Sequence, residues 1–249
     1  MSKSKKAKQR IDVALVERGL VESRQRAQAL IIAGDVRVAG QPVKKASELV
    51  AAEEGIELTG RISKYASRAG LKLEGAIQDF GVIVEGLICL DVGSSNGGFT
   101  DCLLQHGAKR VFAIDVNTKQ LDWKLQHDPR VAAIEKNARY LKLDDIGETV
   151  DIVVIDVSFI SVTKLLDAIV DVAKPGAAFL ILVKPQFELE KKLVGKGGIV
   201  RETALHERAI ANIRAGAERA GLNVLGVQPS HVTGAEGNQE FFLHAQRPD

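Results

Sequence analysis

Short apolar runs alternate with longer, more polar stretches from residue 87 to the end of the chain. This alternation is typical of buried strands that are connected by helices in a doubly wound α/β sheet. Strands are predicted at residues 88–92, 110–114, 131–135, 152–156 and 178–183. Two further runs, at 222–228 and 239–244, flank a glycine-bearing turn and predict an antiparallel pair. We therefore expect an α/β domain with a mostly parallel sheet and an antiparallel last strand.

The first 58 residues follow a different pattern, with short elements. Residues 11–18 predict a helix that ends at Gly19, and a second helix is predicted from Ser23 to Gly34. Residues 35–43 alternate in polarity and turn at Gly40, which predicts a hairpin, and 55–58 predict one more short strand. Such an α+β unit is too small for a large core, so we expect it to dock onto or bind another molecule.

A loop of small residues follows the first predicted strand of the sheet. Residues 93–98 read Gly-Ser-Ser-Asn-Gly-Gly and precede a predicted helix at 99–105, so free backbone N–H groups can face a ligand there. Asp115 follows the second strand and is placed to accept hydrogen bonds from the hydroxyls of a ribose. The spacing differs from G-x-G-x-x-G and suits a nucleoside ligand without a pyrophosphate. A tight strand-to-helix turn without a ligand is the alternative.

The predicted antiparallel pair helps to distinguish between the possible nucleoside cofactors. Such a pair is common in methyltransferases that use S-adenosyl-L-methionine (AdoMet) and unusual in nicotinamide-binding folds, so we expect AdoMet. Asn137 is either beside the adenine or a loop-capping amide. The candidate cofactor contacts are Asp91, Gly93, Ser94, Ser95, Gly97, Gly98, Phe99, Asp115, Asn137 and Asp156.

Charged residues stand at strand ends, where an open α/β sheet holds its ligands. Asp156 ends one buried strand, Lys184 ends the next, and Glu240 opens the last. Pro185 fixes the turn after Lys184, and the preceding apolar run predicts partial burial. Burial disfavours the charged form of an amine, and a neutral amine can act as a base. A structural salt bridge among the three residues is the alternative, and it is compatible with catalysis.

Composition narrows the class of protein. No apolar run is long enough to span a bilayer and the N-terminus lacks an apolar signal region, so no membrane contact is expected. Cys89 and Cys102 lack metal-ligand spacing, which indicates reduced core cysteines in a cytoplasmic protein and no metal. Residues 1–9 are basic, typical of a solvated tail and less often of a nucleic-acid arm. An aromatic content of 4% argues against base stacking on an aromatic platform.

The N-terminal pattern has signature positions at Arg10-Ile11-Asp12, Leu15, Gly19-Leu20, Ser23-Arg24, Ala27, Ile31, Gly34-Asp35-Val36 and Val38-Ala39-Gly40. It resembles the small RNA-binding domain first described in a small-subunit ribosomal protein, the S4 domain. Basic residues here are on their own more typical of a solvated face, but the resemblance implies RNA contact by Arg24 and Arg26. Further RNA-binding candidates are Arg10, Lys44, Arg68 and Lys196. Lys196 belongs to a basic segment, 190–201, that either closes over RNA or is a solvated loop.

Lys72, on a helix predicted at 67–79, completes a set with the three strand-end residues. Lys72, Asp156, Lys184 and Glu240 match the Lys-Asp-Lys-Glu tetrad of RNA ribose 2′-O-methyltransferases of the FtsJ type. With the S4-like unit in front, the whole chain resembles the TlyA (haemolysin A) family. This resemblance implies AdoMet-dependent methylation of cytidine in ribosomal RNA or ribosomal subunits. We expect Lys184 to be the general base, Asp156 and Glu240 to orient it, and Lys72 to position the ribose or its phosphate.

The predicted organisation is a basic tail (1–9), an S4-type domain (10–58), a linker (59–66) and a Rossmann-like class I methyltransferase domain (67–249). The chain departs from many relatives at two places: it has Ala69-Gly70 where they have two glycines, and its linker lacks their tryptophan. These departures concern the coupling between the two domains and leave the catalytic core unchanged. A non-catalytic AdoMet-binding ribosome assembly factor is the alternative. Membrane lysis is disfavoured because no insertion segment is found. DNA methylation is disfavoured because the Asn/Asp-Pro-Pro-Tyr/Phe motif is absent.

Overall fold

The computed structural model describes residues 8–21, 23–32, 34–58, 64–234 and 237–249. The chain divides into two compact units, Met1–Lys64 and Tyr65–Asp249. Separate buried clusters form the core of each unit, as expected for domains. Because residues 1–7 and 59–63 lie outside the described part of the chain, the predicted tail and linker stay predictions, as do the other domain boundaries.

The N-terminal unit is built from short helices and strands. They are β1 Lys8–Arg10, α1 Ile11–Glu17, α2 Arg24–Ile32, β2 Val36–Val38, β3 Gln41–Pro42, β4 Leu49–Ala51 and β5 Ile56–Leu58. β1 pairs with β4, and β2 pairs with β3 and β5, all antiparallel. The predicted helices, the hairpin at Gly40 and the last strand are confirmed. β1 and β4 are missing from the prediction; the β1 sequence, Lys-Gln-Arg, contains no apolar residue that would indicate a strand.

A buried carboxylate joins the start of α1 to the start of α2. Asp12 is fully buried and accepts hydrogen bonds from Arg10 Nε (2.9 Å), Arg24 Nη2 (2.9 Å) and Gln28 Nε2 (3.2 Å). These donors, above all Arg10, hold the pKa of the Asp12 carboxyl well below its usual range, although burial opposes them. The Arg10 and Arg24 side chains remain about half exposed (46% and 56%). The cluster therefore presents two oriented guanidinium groups; the side chain of Arg26 lies outside the described structure.

Replacement of Asp12 by Ala should destabilise the N-terminal unit by about 2–4 kcal/mol, because guanidinium groups and an amide lose a buried partner. Native-state hydrogen exchange of α1 and α2 amides in the full chain measures this free energy. Since the pKa of Asp12 is lowered on folding, its contribution is present above the ordinary carboxyl pKa and is lost as the pH falls through the folded-state pKa. Glu57→Ala, at an exposed site on β5, is the control. Equal protection in the Asp12 variant and the wild type would contradict the assignment.

The C-terminal unit alternates strands and helices. They are α3 Ala69–Phe80, β6 Ile88–Val92, α4 Gly98–Gln105, β7 Arg110–Asp115, α5 Trp123–Gln126, β8 Val131–Glu135, α6 Leu143–Ile146, β9 Val150–Ile155, α7 Leu166–Val172, β10 Ala173–Val183, α8 Pro185–Glu188, α9 Thr203–Arg219, β11 Asn223–Pro229 and β12 Phe241–Gln246. They form a seven-stranded sheet in the order β11-β12-β10-β9-β6-β7-β8. β10, β9, β6, β7 and β8 are parallel, and β12 is antiparallel to both β10 and β11. The predicted fold class is confirmed.

Several boundaries differ from the prediction, among them the starts of β10, β12 and α3. β10 begins at Ala173 instead of 178, because Ala173 already pairs with Val150 of β9, and the ladder resumes at Ala178 after a shift of register. β12 begins at Phe241, so Glu240 precedes the strand. α3 begins at Ala69, and Ser67 Oγ accepts a hydrogen bond from the Ala69 N–H (3.3 Å).

Helices cover both faces of the sheet. Leu73 of α3 and Leu103 of α4 belong to one buried cluster, whereas Ile169 of α7 and Ile213 of α9 belong to the other. Cys89 and Cys102 are both buried, as predicted, and no disulfide joins them. Burial raises the pKa of the Cys89 thiol to about 12, so it is a packing residue without thiolate reactivity.

This topology brings the candidate site residues to one edge of the sheet. The carboxyl ends of parallel strands lie at the same edge, and β6, β7, β9 and β10 end at or next to Gly93, Asp115, Asp156 and Lys184. β12 runs in the opposite direction, and its first residue, Phe241, pairs with Val183. Glu240 therefore lies at this edge too.

Candidate active site

The glycine loop makes a close approach that a side chain would block. Gly93 has φ +85°, and a Cβ at this position would lie 2.3 Å from the carbonyl oxygen of Asp156. At Gly98, which begins α4, a Cβ would lie 2.2 Å from Ser67 Oγ. The loop is fixed to the neighbouring strand because Gly93 and Ser94 both donate backbone hydrogen bonds to the Ile114 carbonyl (2.8 and 3.1 Å). The predicted glycine-lined turn is confirmed as a tight structure beside the strand ends.

Asp115 links this loop to the end of β7. Its Oδ2 accepts a hydrogen bond from the Ser95 N–H (2.9 Å), and its Oδ1 accepts one from the Asn117 N–H (3.0 Å). The side chain is only partly buried, and a carboxylate oxygen has more than one acceptor site. Asp115 can therefore hold the loop and still accept hydrogen bonds from a bound hydroxyl.

Two cavities adjoin the loop. One, of about 440 Å³, is lined on one side by Asp115 and Asn137 and on the other by Val157 to Ile160. The other, of about 180 Å³, is lined by Ser94, Gly98, Phe99 and Lys184, among others. Both share the lining residues Gly93, Ser95, Asp156 and Ser158. Two adjoining cavities that share part of the glycine loop, one of them lined by Asp115, fit a nucleoside that carries a side chain, such as AdoMet.

Three of the predicted cofactor residues have structural roles within the protein. Asp91 is fully buried and lines neither cavity; its Oδ2 accepts a hydrogen bond from Thr100 Oγ1 (2.6 Å), and burial raises its pKa to about 7. Asp91 thus anchors α4 beneath the loop. Gly97 also lines neither cavity, and a Cβ there would lie 2.2 Å from Leu125. Asn137 lines the larger cavity, but its oxygen caps the turn at Arg139 N–H (3.0 Å).

The predicted tetrad forms two buried ion pairs. Lys72 Nζ lies 2.5 Å from Glu240 Oε2, and Lys184 Nζ pairs with Asp156 Oδ1. All four side chains are at most 15% exposed. The expectation that Glu240 orients Lys184 is wrong, because Glu240 bonds to the lysine on α3. The second partner of Lys184 is Ser158 Oγ (3.0 Å).

Ser158 and Phe159 are absent from the predicted site, although both line the larger cavity. Phe159 has φ +66° and is 91% exposed, and its ring packs against that of Phe187 (5.1 Å between centroids). A positive φ costs a non-glycine residue about 1–3 kcal/mol and is often found at functional sites. The signal in the sequence was their position directly after a strand that ends in a candidate catalytic residue.

The basic segment, residues 190–201, is held by Asn238, two residues before Glu240. Asn238 is buried; its Oδ1 accepts a hydrogen bond from the Val200 N–H (2.8 Å), and its Nδ2 donates to the Gly198 carbonyl (2.9 Å). Lys196, like Lys44 and Arg68, is exposed. Among the described residues, no cluster of three His, Cys, Asp or Glu side chains could hold a metal ion.

Comparison with known proteins identifies both units. The profile of the FtsJ-like methyltransferase family matches residues 65–247, and the S4 domain profile matches residues 9–56. The chain is 44% identical to the 16S/23S rRNA (cytidine-2′-O)-methyltransferase TlyA of Mycobacterium tuberculosis, over 94% of this chain and 88% of that protein. It is 42% identical to Hemolysin A of Brachyspira hyodysenteriae, over 94% of this chain and 98% of that protein.

A solved structure shows the same similarity. A Streptococcus thermophilus protein, designated a candidate hemolysin, superposes with a TM-score of 0.75 at 40% identity, over 97% of this chain and 89% of its own. The resemblance to the FtsJ and TlyA families is thereby confirmed. The chain belongs to the FtsJ-like methyltransferase family, and it is an AdoMet-dependent methyltransferase that also carries an S4 domain.

Proposed function

We propose that this protein methylates a ribose 2′-hydroxyl of ribosomal RNA, at cytidine, with Lys184 as the general base. The observation that carries the proposal is the Lys184 amine, which is held by Asp156 and Ser158 in a cavity that adjoins the proposed nucleoside site. An amine in such a position is suited to remove a proton from an acceptor that enters beside the cofactor.

The substrate class is supported by the relatives and by the S4 domain. The Mycobacterium tuberculosis relative is named as a methyltransferase of cytidine 2′-O in 16S and 23S rRNA. The Brachyspira relative is instead named for haemolysis. The described chain has no helix that combines the length and the apolar character needed to cross a membrane. The buried pairs Lys72–Glu240 and Lys184–Asp156 favour methyl transfer as the function.

We assign the larger cavity to the nucleoside part of AdoMet. Asp115 would accept the ribose hydroxyls, Asn137 would lie beside the adenine, and the loop at Gly93 and Ser95 would contact the central part. The smaller cavity at Gly98 and Phe99 would hold the methionine part of AdoMet. When bound, AdoMet supplies an electrophilic methyl group, so the protein has to align the acceptor and remove its proton.

The two ion pairs have different roles in the proposed mechanism. In its neutral form, the Lys184 amine accepts the proton of the ribose 2′-OH, and the ammonium group that forms is stabilised by Asp156 and kept in orientation by Ser158. Glu240 holds Lys72 so that its amine can contact the ribose or the adjacent phosphate. Removal of a general base typically costs 10²- to 10⁴-fold in rate.

We place RNA contacts on the S4 domain and on exposed cations of the catalytic unit. Arg10 and Arg24 are oriented by Asp12, and Lys44 is exposed. Arg68 and Lys196 are the exposed candidates in the catalytic unit. Arg26 belongs to the same proposal on the sequence pattern alone. Such contacts would supply binding to phosphates and would make affinity fall with salt.

Lys184→Arg should reduce methyl transfer to unmodified ribosomal subunits by about 10²-fold or more, as should Lys184→Ala. Arginine can keep the ion pair with Asp156, but it cannot accept a proton near neutral pH. Transfer of labelled methyl from AdoMet to RNA is the measurement. Lys109→Arg, an exposed lysine before β7 at the opposite sheet edge, is the control.

Full activity of Lys184→Arg with intact folding would exclude Lys184 as the base. No label with the wild type on either subunit, despite measurable AdoMet binding, would instead favour the non-catalytic assembly factor. Label on a nucleotide other than cytidine would refute only the base specificity.

Asp115→Ala should weaken AdoMet binding by about 30-fold or more, because hydrogen bonds to a charged acceptor contribute about 1.5–3 kcal/mol each. Isothermal titration calorimetry without RNA measures the Kd independently of activity. Glu148→Ala, which removes a surface ion pair with Arg110, should leave the Kd unchanged. An unchanged Kd in the Asp115 variant would move the nucleoside away from this end of the cavity.

A further inference from the structure

We infer that Glu188 is a positioning residue for the reaction, because it fixes the catalytic segment, residues 156–161, in the conformation that places Ser158 and Phe159. The inference rests on the proposed function. This segment leaves β9 with Asp156 and ends at Ser161, where a short 3₁₀ helix, Val162–Lys164, begins. Glu188 lies outside the tetrad, at the end of the Lys184-Pro185-Gln186-Phe187-Glu188 motif.

The carboxylate of Glu188 supplies part of the cap at the end of the catalytic segment, where Ser161 Oγ also accepts a hydrogen bond from the Thr163 N–H (3.3 Å). Its Oε2 accepts a hydrogen bond from Ser161 Oγ (2.6 Å), and its Oε1 accepts one from the Val162 N–H (3.0 Å). The first N–H groups of a helix have no partner within the helix, so a partner from elsewhere fixes where the helix begins. Glu188 thereby helps to fix the residue at which the catalytic segment ends and the 3₁₀ helix begins.

The same motif contacts the catalytic segment at two other points. Lys184 pairs with Asp156 and bonds to Ser158 at its start. Phe187 packs against Phe159 in its middle. Because Phe159 has a positive φ, its conformation persists only where the surroundings impose it. Loss of the Glu188 carboxylate removes the two hydrogen bonds that tie the far end of the segment to α8, which allows Phe159 to relax.

The cap can be removed without releasing α8 itself. Asn212 Nδ2 donates to the backbone carbonyl of Glu188 (3.1 Å), and Pro185 is buried at the start of α8. Burial raises the pKa of the Glu188 carboxyl, and the bonds from Ser161 and Val162 oppose that rise. The two donors, Ser161 Oγ and the Val162 N–H, therefore stabilise the ionised form of the Glu188 carboxyl, and the carboxylate in turn holds both donors in place.

The test compares Glu188→Ala with Glu188→Gln in the full chain, at saturating AdoMet and ribosomal subunits. The alanine variant should lose about tenfold or more in kcat, since small misplacements at a catalytic site are costly. It should also lose hydrogen-exchange protection at the Val162 amide. Glutamine keeps an oxygen for Val162 and can donate to Ser161, so it should keep kcat within about threefold and retain the protection. Glu207→Ala, at an exposed site on α9, is the control.

An unchanged kcat in Glu188→Ala, or a loss of kcat without loss of protection at Val162, would overturn the inference. Absence of methyl transfer by the wild type would refute the proposed function, whereas the exchange comparison would still decide whether Glu188 holds the segment. If Glu188→Ala does not fold, Ser161→Ala removes one half of the cap from the other side. It should likewise lower kcat.

Discussion

The backbone hydrogen bond between Asp156 and Val92 is the constraint on which the rest of the site depends. The Asp156 N–H donates to the Val92 carbonyl (2.9 Å), so the ladder between β9 and β6 continues one residue beyond β9. The Asp156 carbonyl is thereby placed against Gly93, where only a residue without a Cβ fits. Once this contact is fixed, the Asp156 side chain faces the cavities and can pair with Lys184 at the end of the next strand.

The pairing of the tetrad residues follows from the cost of buried charge. An isolated buried lysine or carboxylate is strongly disfavoured, and a buried pair is tolerated when its geometry is good. Each of the two lysines is paired with a carboxylate, which offsets the repulsion that an unpaired lysine would exert on a cationic sulfonium. Two separate pairs also let the site hold one amine on α3 and another at the end of β10, each with its own anchor.

The sequence was sufficient for the features that depend on local pattern. The strand runs, the glycine loop and the residues at strand ends are all encoded within a few positions, and the structure brings Gly93, Asp115, Asp156 and Lys184 together as expected. It was not sufficient for contacts between distant segments. The Lys72–Glu240 pair spans 168 positions, and no local pattern indicates that α3 crosses that end of the sheet. Gly70 is a similar case, because its need for glycine comes from the Tyr65 ring, 2.4 Å from a hypothetical Cβ.

A common device recurs in both units, in which a carboxylate orients a cation. Asp12 holds Arg10 and Arg24, Glu240 holds Lys72, and Asp156 holds Lys184. A side chain held in one conformation loses less entropy when it binds, but the paired carboxylate also reduces the local positive charge. For the proposed RNA substrate, pairing each cation with a carboxylate weakens the general attraction to phosphates but places the remaining contacts at defined positions. The net charge of only +2 agrees with recognition by a few oriented cations instead of a strongly basic surface.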